Sequence, residues 1–264
     1  MARIDFFGLG EMGYAIAGHL ANAGHALAPH DLQTQRVAAW QQEFGARQAH
    51  GPAEFLITSI TDLETLLALA HAPDGIAGRL KPGVLWIDHT TTSPPGARAC
   101  AELAAAHGAA FIDVPMSGGA AGARAGELAL FAGGAAADIA RARPLLQSYC
   151  NHLTHLGAVG SGQAAKLAHQ LAIAGTLLGL SAAIEYGAAQ GLAAADVLGA
   201  LKQGTARSIQ LNQHAEKMSA ADFDFARDFA WLAKDLAVVD NQAPALAALL
   251  CTLVQPPSDK EGSS

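Results

Sequence analysis

Short apolar runs alternate with helix-period stretches over the first 156 residues, and the pattern then becomes almost wholly helical. Ile4-Asp-Phe-Phe7 reads as a strand and runs directly into the glycines at 8–13. An amphipathic stretch from Met12 to Ala23 follows, closed by Gly24. A second run, Ala26–His30, ends at Asp31. Further strand candidates are Phe55–Ile60, Val84–Asp88, Ala110–Asp113 and Leu128–Phe131, with helical patterns such as Pro94–His107 between most of them. This alternation predicts an open, mostly parallel sheet with helices on both faces. Pro29 fits its strand poorly, because proline has no N–H to give to a ladder. It is expected at the strand's end or where pairing is loosened.

Residues 161–254 contain no alternating segment of any length. The turn-rich Gly157-Ala-Val-Gly-Ser-Gly162 marks the division, so the expected organisation is a doubly wound α/β domain over residues 1–157 and an all-α domain over 158–264. The longest apolar stretch, Ala164–Ala183, carries Lys166, His169, Gln170 and Ser181 and is followed by Glu185. It is expected to be a buried helix of a soluble domain and not a membrane span. The polar, turn-rich tail Gln255–Ser264 is expected to fray.

Composition narrows the function. Apolar residues make up 51% of the chain and aromatics 6%, so the interior is built mainly from Ala, Leu, Val and Ile, which suits closely packed helices. A net charge of −7, with 16 basic residues and no run of them, argues against a nucleic-acid binder or a membrane-surface helix. Cys100, Cys150 and Cys251 have neither zinc nor disulfide spacing, and acidic Asp5 and the glycines interrupt any secretory segment. A cytoplasmic location is expected.

Gly8-Leu9-Gly10-Glu11-Met12-Gly13 matches G-x-G-x-x-G between a strand and a helix, the dinucleotide-binding arrangement of a Rossmann-type domain. The first Gly makes the turn, the second admits a pyrophosphate, and the third lets helix pack on strand. Asp31, at the end of the second strand, suits the ribose hydroxyls of NAD and repels a 2′-phosphate. No arginine follows within four residues to hold such a phosphate, and Arg36, the nearest, is read as lying a turn into the next helix. NAD is therefore favoured over NADP. The competing reading is that Asp31 caps the helix beginning near Thr34.

Lys166 lies on an otherwise apolar helical stretch, and burial of an ammonium group lowers its pKa toward that of a general acid/base. The competing reading is a lysine that snorkels to solvent. Gln170, at i+4, shares its face. Asp113-Val-Pro-Met-Ser117-Gly118-Gly119 closes a strand with a small-residue turn, either an ordinary loop or a place where N–H groups and the serine hydroxyl take a carboxylate. The 11 histidines show no ligand spacing, so no metal is expected.

Taken together, these segments resemble the β-hydroxyacid dehydrogenase family. The resemblance is carried by Phe6–Gly13, Asp88-His-Thr-Thr91 with Pro94, Asp113–Gly119, Gly160-x-Gly-x-x-x-Lys166 and Lys234-Asp235-Leu236, in that order. It implies a Rossmann domain, a long interdomain helix, and an all-helical domain that makes a homodimer or dimer-based oligomer. It also implies site roles: Lys166 as general acid/base, and Ser117, Gly118 and Gly119 on the carboxylate of a small substrate. Ile60 and Thr61 would lie beside the cofactor, Thr91 on the nicotinamide side, and Lys234 toward cofactor and substrate. Three departures stand out. Gln170 replaces the family's Asn, His19 replaces an Asn on the first helix, and the chain ends about 30 residues after Lys234 without the family's Gly-Asp-rich segment. An extra methylene in a site that needs close placement costs one to two orders of magnitude in rate or favours a smaller substrate. Altered cleft closure or dimer contacts are expected from the short C-terminus. The expected activity is hydride transfer between a nicotinamide cofactor and a small β-hydroxy acid or its semialdehyde. The alternative is a non-catalytic dinucleotide-binding protein with an interaction role. An imine reductase is disfavoured because the lysine is retained.

Overall fold

The computed structural model describes residues 1–45, 51–220 and 228–239. The chain divides into two compact units, Met1–Lys166 and the residues from Leu167 on. This division falls inside a helix, whereas the sequence places the boundary at the turn before it, between 157 and 158.

In the first unit, β1 (Arg3–Phe7), α1 (Glu11–Asn22), β2 (Ala26–His30), α2 (Thr34–Phe44), β3 (Phe55–Thr58), α3 (Leu63–His71), β4 (Leu85–Asp88), α4 (Pro94–Ala106) and β5 (Ala110–Asp113) alternate as the pattern predicts. They are followed by β6 (Met116–Ser117), α5 (Gly119–Ala125), β7 (Leu128–Gly133), α6 (Ala136–Leu146) and β8 (Cys150–Gly157). The eight-stranded sheet runs β2-β1-β3-β4-β5-β7-β6, with β8 pairing β7. The pairs from β2 to β5 are parallel, β7 is antiparallel to β5 and β6, and β8 is parallel to β7.

Strand alternation sends residues to two separate cores. Ile4, Phe6, Ile57, Ile87 and Ile112 pack with α1, α2, α5 and α6, while Phe7, Leu56, Trp86 and Phe111 pack with α3 and α4. The central strands β3 and β4 are buried along their whole length, as expected of parallel strands covered on both faces. Pro29 pairs in register with Phe6 at the sheet's edge. Ala26 N–H donates to Ala2 and His30 C=O accepts from Gly8, so the even-numbered residues of β2 face β1. Pro29 therefore turns its nitrogen outward, where no ladder bond is needed.

Two strands escape the sequence reading. β6 is two residues long, and β8 is exposed along most of its length, so neither carries an alternating apolar signal. Expected Phe55–Ile60 also ends earlier, because Ser59 and Ile60 leave the sheet for the loop after β3.

In the second unit the described residues are helical: α7 (Ser161–Ala189, which begins in the first unit), α8 (Ala194–Gln203), α9 (Ile209–Ser219) and α10 (Ala230–Ala237). Its core gathers Ala174, Leu177, Leu180, Leu198, Leu211, Met218, Phe229 and Leu232. The expectation of a buried helix is corrected for α7. It is long and apolar enough to cross a membrane, yet only 33% of its most apolar 18-residue window is buried. One side serves the core, and much of the rest is left open in a single chain. The tail Gln255–Ser264 lies outside the described residues.

Candidate active site

β1 lies between β2 and β3, so the chain leaves it first to one side and then to the other. In open α/β sheets, ligands bind beyond the carboxyl ends of strands at such a reversal. The glycine turn sits there. Gly8 has φ +96°, and a Cβ on it would collide with the carbonyl of Ser59. A Cβ on Gly13 would collide with the carbonyl of Gly8. Gly10 differs: it has an ordinary φ of −67°, and nothing in the protein lies within 4 Å of where its Cβ would be. No internal contact demands glycine there, as expected if the space serves a pyrophosphate. Gly10 caps α1 without a side chain, leaving the N–H groups around Glu11, Met12 and Gly13 at the helix start for an anion.

Asp31 is held against this turn. Its Oδ2 accepts from Leu9 N–H at 2.7 Å and its Oδ1 from Gln33 N–H at 2.8 Å. The side chain does not cap α2, whose N-cap is Gln33. Arg36, in the first turn of α2, places Nη1 3.7 Å from Asp31 Oδ2. Five residues along the chain amount to little distance once α2 begins at Thr34.

The segments after β3 and β4 are joined by a buried network. Thr58 Oγ1 donates to Asp88 Oδ1 at 2.6 Å, Trp86 Nε1 donates to Thr58 Oγ1 at 2.9 Å, and Thr90 N–H donates to Asp88 Oδ1 at 3.1 Å. Ile60 N–H donates to Thr90 Oγ1 at 3.2 Å. The bond thus joins Ile60 to Thr90, the neighbours in sequence of Thr61 and Thr91. Burial pushes the Asp88 carboxyl up to about 6, against the opposing bonds from Thr58 and Thr90. Neighbouring His89 is pushed down to about 4 by burial. Its Nδ1 is 2.7 Å from Val114 C=O, which can only accept, so Nε2 accepts from Tyr149 Oη at 3.0 Å.

Asp113 ends β5 and anchors the start of α7. Its Oδ1 accepts from Gly160 N–H at 2.7 Å and its Oδ2 from Gln163 N–H at 2.8 Å. A carboxylate at a helix N-terminus satisfies orphan donors and meets the positive end of the helix dipole. Four residues beyond Asp113, Ser117 is half-buried in β6, and Gly118 and Gly119 are exposed with φ +131° and +59°. The short helix α5 that follows is tied to α1 by His19 Nε2, 2.9 Å from Ala123 C=O, which gives the substituted His19 a structural task. Lys166 is buried, at 7% exposure, one turn into α7.

One further turn along α7, Gln170 is fully buried. Its Nε2 donates to Asp235 Oδ2 at 2.6 Å, while its Oε1 is buried without a hydrogen-bond partner among the described residues. Lys234 Nζ pairs with Asp235 Oδ1 at 2.8 Å. Sequence reasoning missed Asp113 and Gln163 as organisers of the start of α7, and Asp235 as the partner of Gln170. All three lie inside the quoted motifs, but motif matching assigns no partners.

Among known proteins, residues 3–160 match the family model described as the NAD binding domain of 6-phosphogluconate dehydrogenase. Residues 160–255 match that described as NAD-binding of NADP-dependent 3-hydroxyisobutyrate dehydrogenase. A 3-hydroxyisobutyrate dehydrogenase of Pseudomonas aeruginosa is 35% identical over 80% of this chain and 73% of its own. An NAD-dependent L-serine dehydrogenase of the same organism is 30% identical over 94% and 87%. The solved structure of Mycobacterium tuberculosis 3-hydroxyisobutyrate dehydrogenase with L-serine superposes with a TM-score of 0.80 at 26% identity, covering 96% of this chain and 94% of that one.

Proposed function

Because the chain belongs to the β-hydroxyacid dehydrogenase family, we propose that it moves a hydride between NAD and a small β-hydroxy acid or its semialdehyde, with Lys166 as general acid/base. The coarser statement, a nicotinamide-dependent oxidoreductase of hydroxy acids, follows from the family. The observation that carries the finer one is a lysine, 7% exposed, one turn into the helix whose start is anchored by Asp113, four residues before Ser117.

The residues present fit the cofactor, as the unexplained glycine at position 10 indicates. When bound, nicotinamide supplies the hydride acceptor or donor. The backbone around Glu11 and Met12 takes the pyrophosphate, Asp31 the ribose hydroxyls, and Ile60, Thr61 and Thr91 the ring side. Lys234 is assigned to the cofactor as well, although its Nζ is paired with Asp235. Ser117 and the N–H groups of Gly118 and Gly119 hold the substrate carboxylate. In oxidation, neutral Lys166 takes the hydroxyl proton, and in reduction its ammonium returns it. Gln170 is assigned to the substrate as well, because its Oε1 is buried without a hydrogen-bond partner among the described residues.

The test is a screen of 3-hydroxyisobutyrate, L-serine and related semialdehydes with NAD(H) and NADP(H), alongside Lys166→Ala. Turnover with NAD is expected in the wild type, and Lys166→Ala should lose it by about 100–10,000-fold, as for a missing acid/base, with cofactor affinity retained. Unchanged turnover in that variant removes Lys166 from the mechanism. Cofactor binding without turnover of any substrate favours a non-catalytic binding protein, a reading that rests on Gln170 being tied to Asp235 where the family has Asn.

A homodimer in the cytoplasm belongs to the same proposal. Ala168, Ala172, Gly175 and Gly179 form an exposed small-residue side of α7, and a Cβ at Gly175 or Gly179 would meet nothing within 4 Å. The described cysteines, Cys100 and Cys150, are free and buried. Light scattering that returned a monomer would remove the dimer.

A further inference from the structure

Gln163 is fully buried on the first turn of α7, three residues before Lys166. Both ends of its side-chain amide are used, and on the same short turn. Oε1 accepts from Thr92 N–H at 2.9 Å, and Nε2 donates to Thr90 C=O at 2.7 Å. Those groups belong to the two peptide units that flank Thr91. One amide therefore brackets one residue, fixing the backbone on both sides of it. Thr91 itself is half-buried, and the Gln163 amide engages the backbone on either side of it and not its hydroxyl.

The bracket is rigid at its other end. Gln163 N–H donates to Asp113 Oδ2, and Gly160 N–H to Oδ1 of the same carboxylate. A Cβ on Gly162 would collide with Phe131 C=O and approach Asp113 Oδ2 to 2.7 Å, so the helix turn sits as close to the strand ends as glycine allows. Thr90 is held from the strand side as well, by Asp88 Oδ1. An apolar side chain of the same size would fill the space of Gln163 and hold neither peptide.

We infer that Gln163 is a positioning residue: its amide holds the Thr90–Thr92 turn in register with the helix turn that carries Lys166, so that ring contact and proton transfer are aligned. This rests on the proposed roles of Thr91 and Lys166. It predicts that loss of the amide uncouples the nicotinamide from an otherwise intact nucleotide site, because the glycine turn and Asp31 are untouched.

The experiment compares NADH with ADP-ribose, which lacks the ring, by titration calorimetry on the full chain. Wild type is expected to bind NADH more tightly. In Gln163→Leu, ADP-ribose affinity stays within about twofold while the NADH preference falls by about tenfold, since the ring is no longer aligned. On any hydroxy acid turned over, kcat falls about 10–100-fold with KM within about threefold, and the primary deuterium isotope effect rises. Gln163→Glu supplies the conservative control. Protonated, its carboxyl offers one donor and one acceptor like the amide; ionised, it cannot donate to Thr90. Its NADH preference should recover as pH falls, whereas that of Gln163→Leu should not. A folded Gln163→Leu with unchanged preference overturns the inference, as does an equal loss for both ligands or a wild type with no preference. If Gln163→Leu does not fold, a Gln163→Glu preference equal to wild type at pH 8 overturns it. Absence of turnover with every acid defeats the proposed function alone, because the affinity ratio still decides the role of Gln163.

Discussion

The Gln170 side chain donates a 2.6 Å hydrogen bond to Asp235, while its own carbonyl oxygen is buried without a partner among the described residues. The extra methylene that separates this residue from the family's asparagine is therefore in use: it carries the amide nitrogen to Asp235. Gln170→Asn, although it installs the family residue, should withdraw the amide from that carboxylate. A buried acceptor left short of a donor costs about 1–3 kcal/mol. Thermal melting should fall by several degrees and kcat by about tenfold or more. Wild-type melting and turnover in Gln170→Asn would show that the pairing with Asp235 is dispensable.

Gly10 and Gly13 should separate under the same substitution. Gly10→Ala meets open space with an ordinary φ, so it should melt like wild type and lose cofactor affinity by about tenfold or more, the added methyl standing where the pyrophosphate approaches. Gly13→Ala collides with the Gly8 carbonyl and should destabilise the domain by about 1–3 kcal/mol. Equal effects of the two on melting would contradict the division of roles.

Arg36 stands 3.7 Å from Asp31, so the carboxylate proposed to read the ribose already has a cation beside it. Asp31→Ser should remove the repulsion toward a 2′-phosphate and release Arg36 to pair with it. The ratio of kcat/KM for NADP to that for NAD should rise by about tenfold or more. A ratio unmoved by the substitution would mean that Asp31 does not read the ribose.

Asp88 predicts a pH dependence of stability. Burial raises its folded-state value to about 6 from 3.8, so the folded protein binds the proton more tightly than the unfolded chain. The resulting stabilisation is fully present below pH 3.8 and is lost as pH rises through 6. Between pH 5 and pH 8 it amounts to about 1–2 kcal/mol. Asp88→Asn keeps an oxygen for Thr58 and Thr90 but cannot titrate, so urea melts at the two pH values should differ by that much less than in wild type. An identical pH difference in both proteins would remove Asp88 as its source.

Much of the fold and the glycine turn is legible in the sequence. Strand–helix alternation, the turn at Gly8 and the placement of Asp31 are written in residues a few positions apart. β8 was not legible, since an exposed edge strand need not alternate. The exposed side of α7 was not legible either, because an apolar helix reads the same whether its own domain or something else covers it. That Arg36 reaches Asp31 was not legible, because sequence separation is a poor guide to distance at a helix start.

By itself the chain's pattern determined the sheet, the helical second part, the glycine turn and the lysine helix, because periodicity and backbone demands act over a few neighbouring residues. Only the tertiary structure decided the polar pairings: Asp113 with Gln163 across 50 residues, Gln163 with Thr92 across 71, and Gln170 with Asp235 across 65. An amide or a carboxylate can bond to almost any donor or acceptor, and strand order and packing alone choose which one arrives.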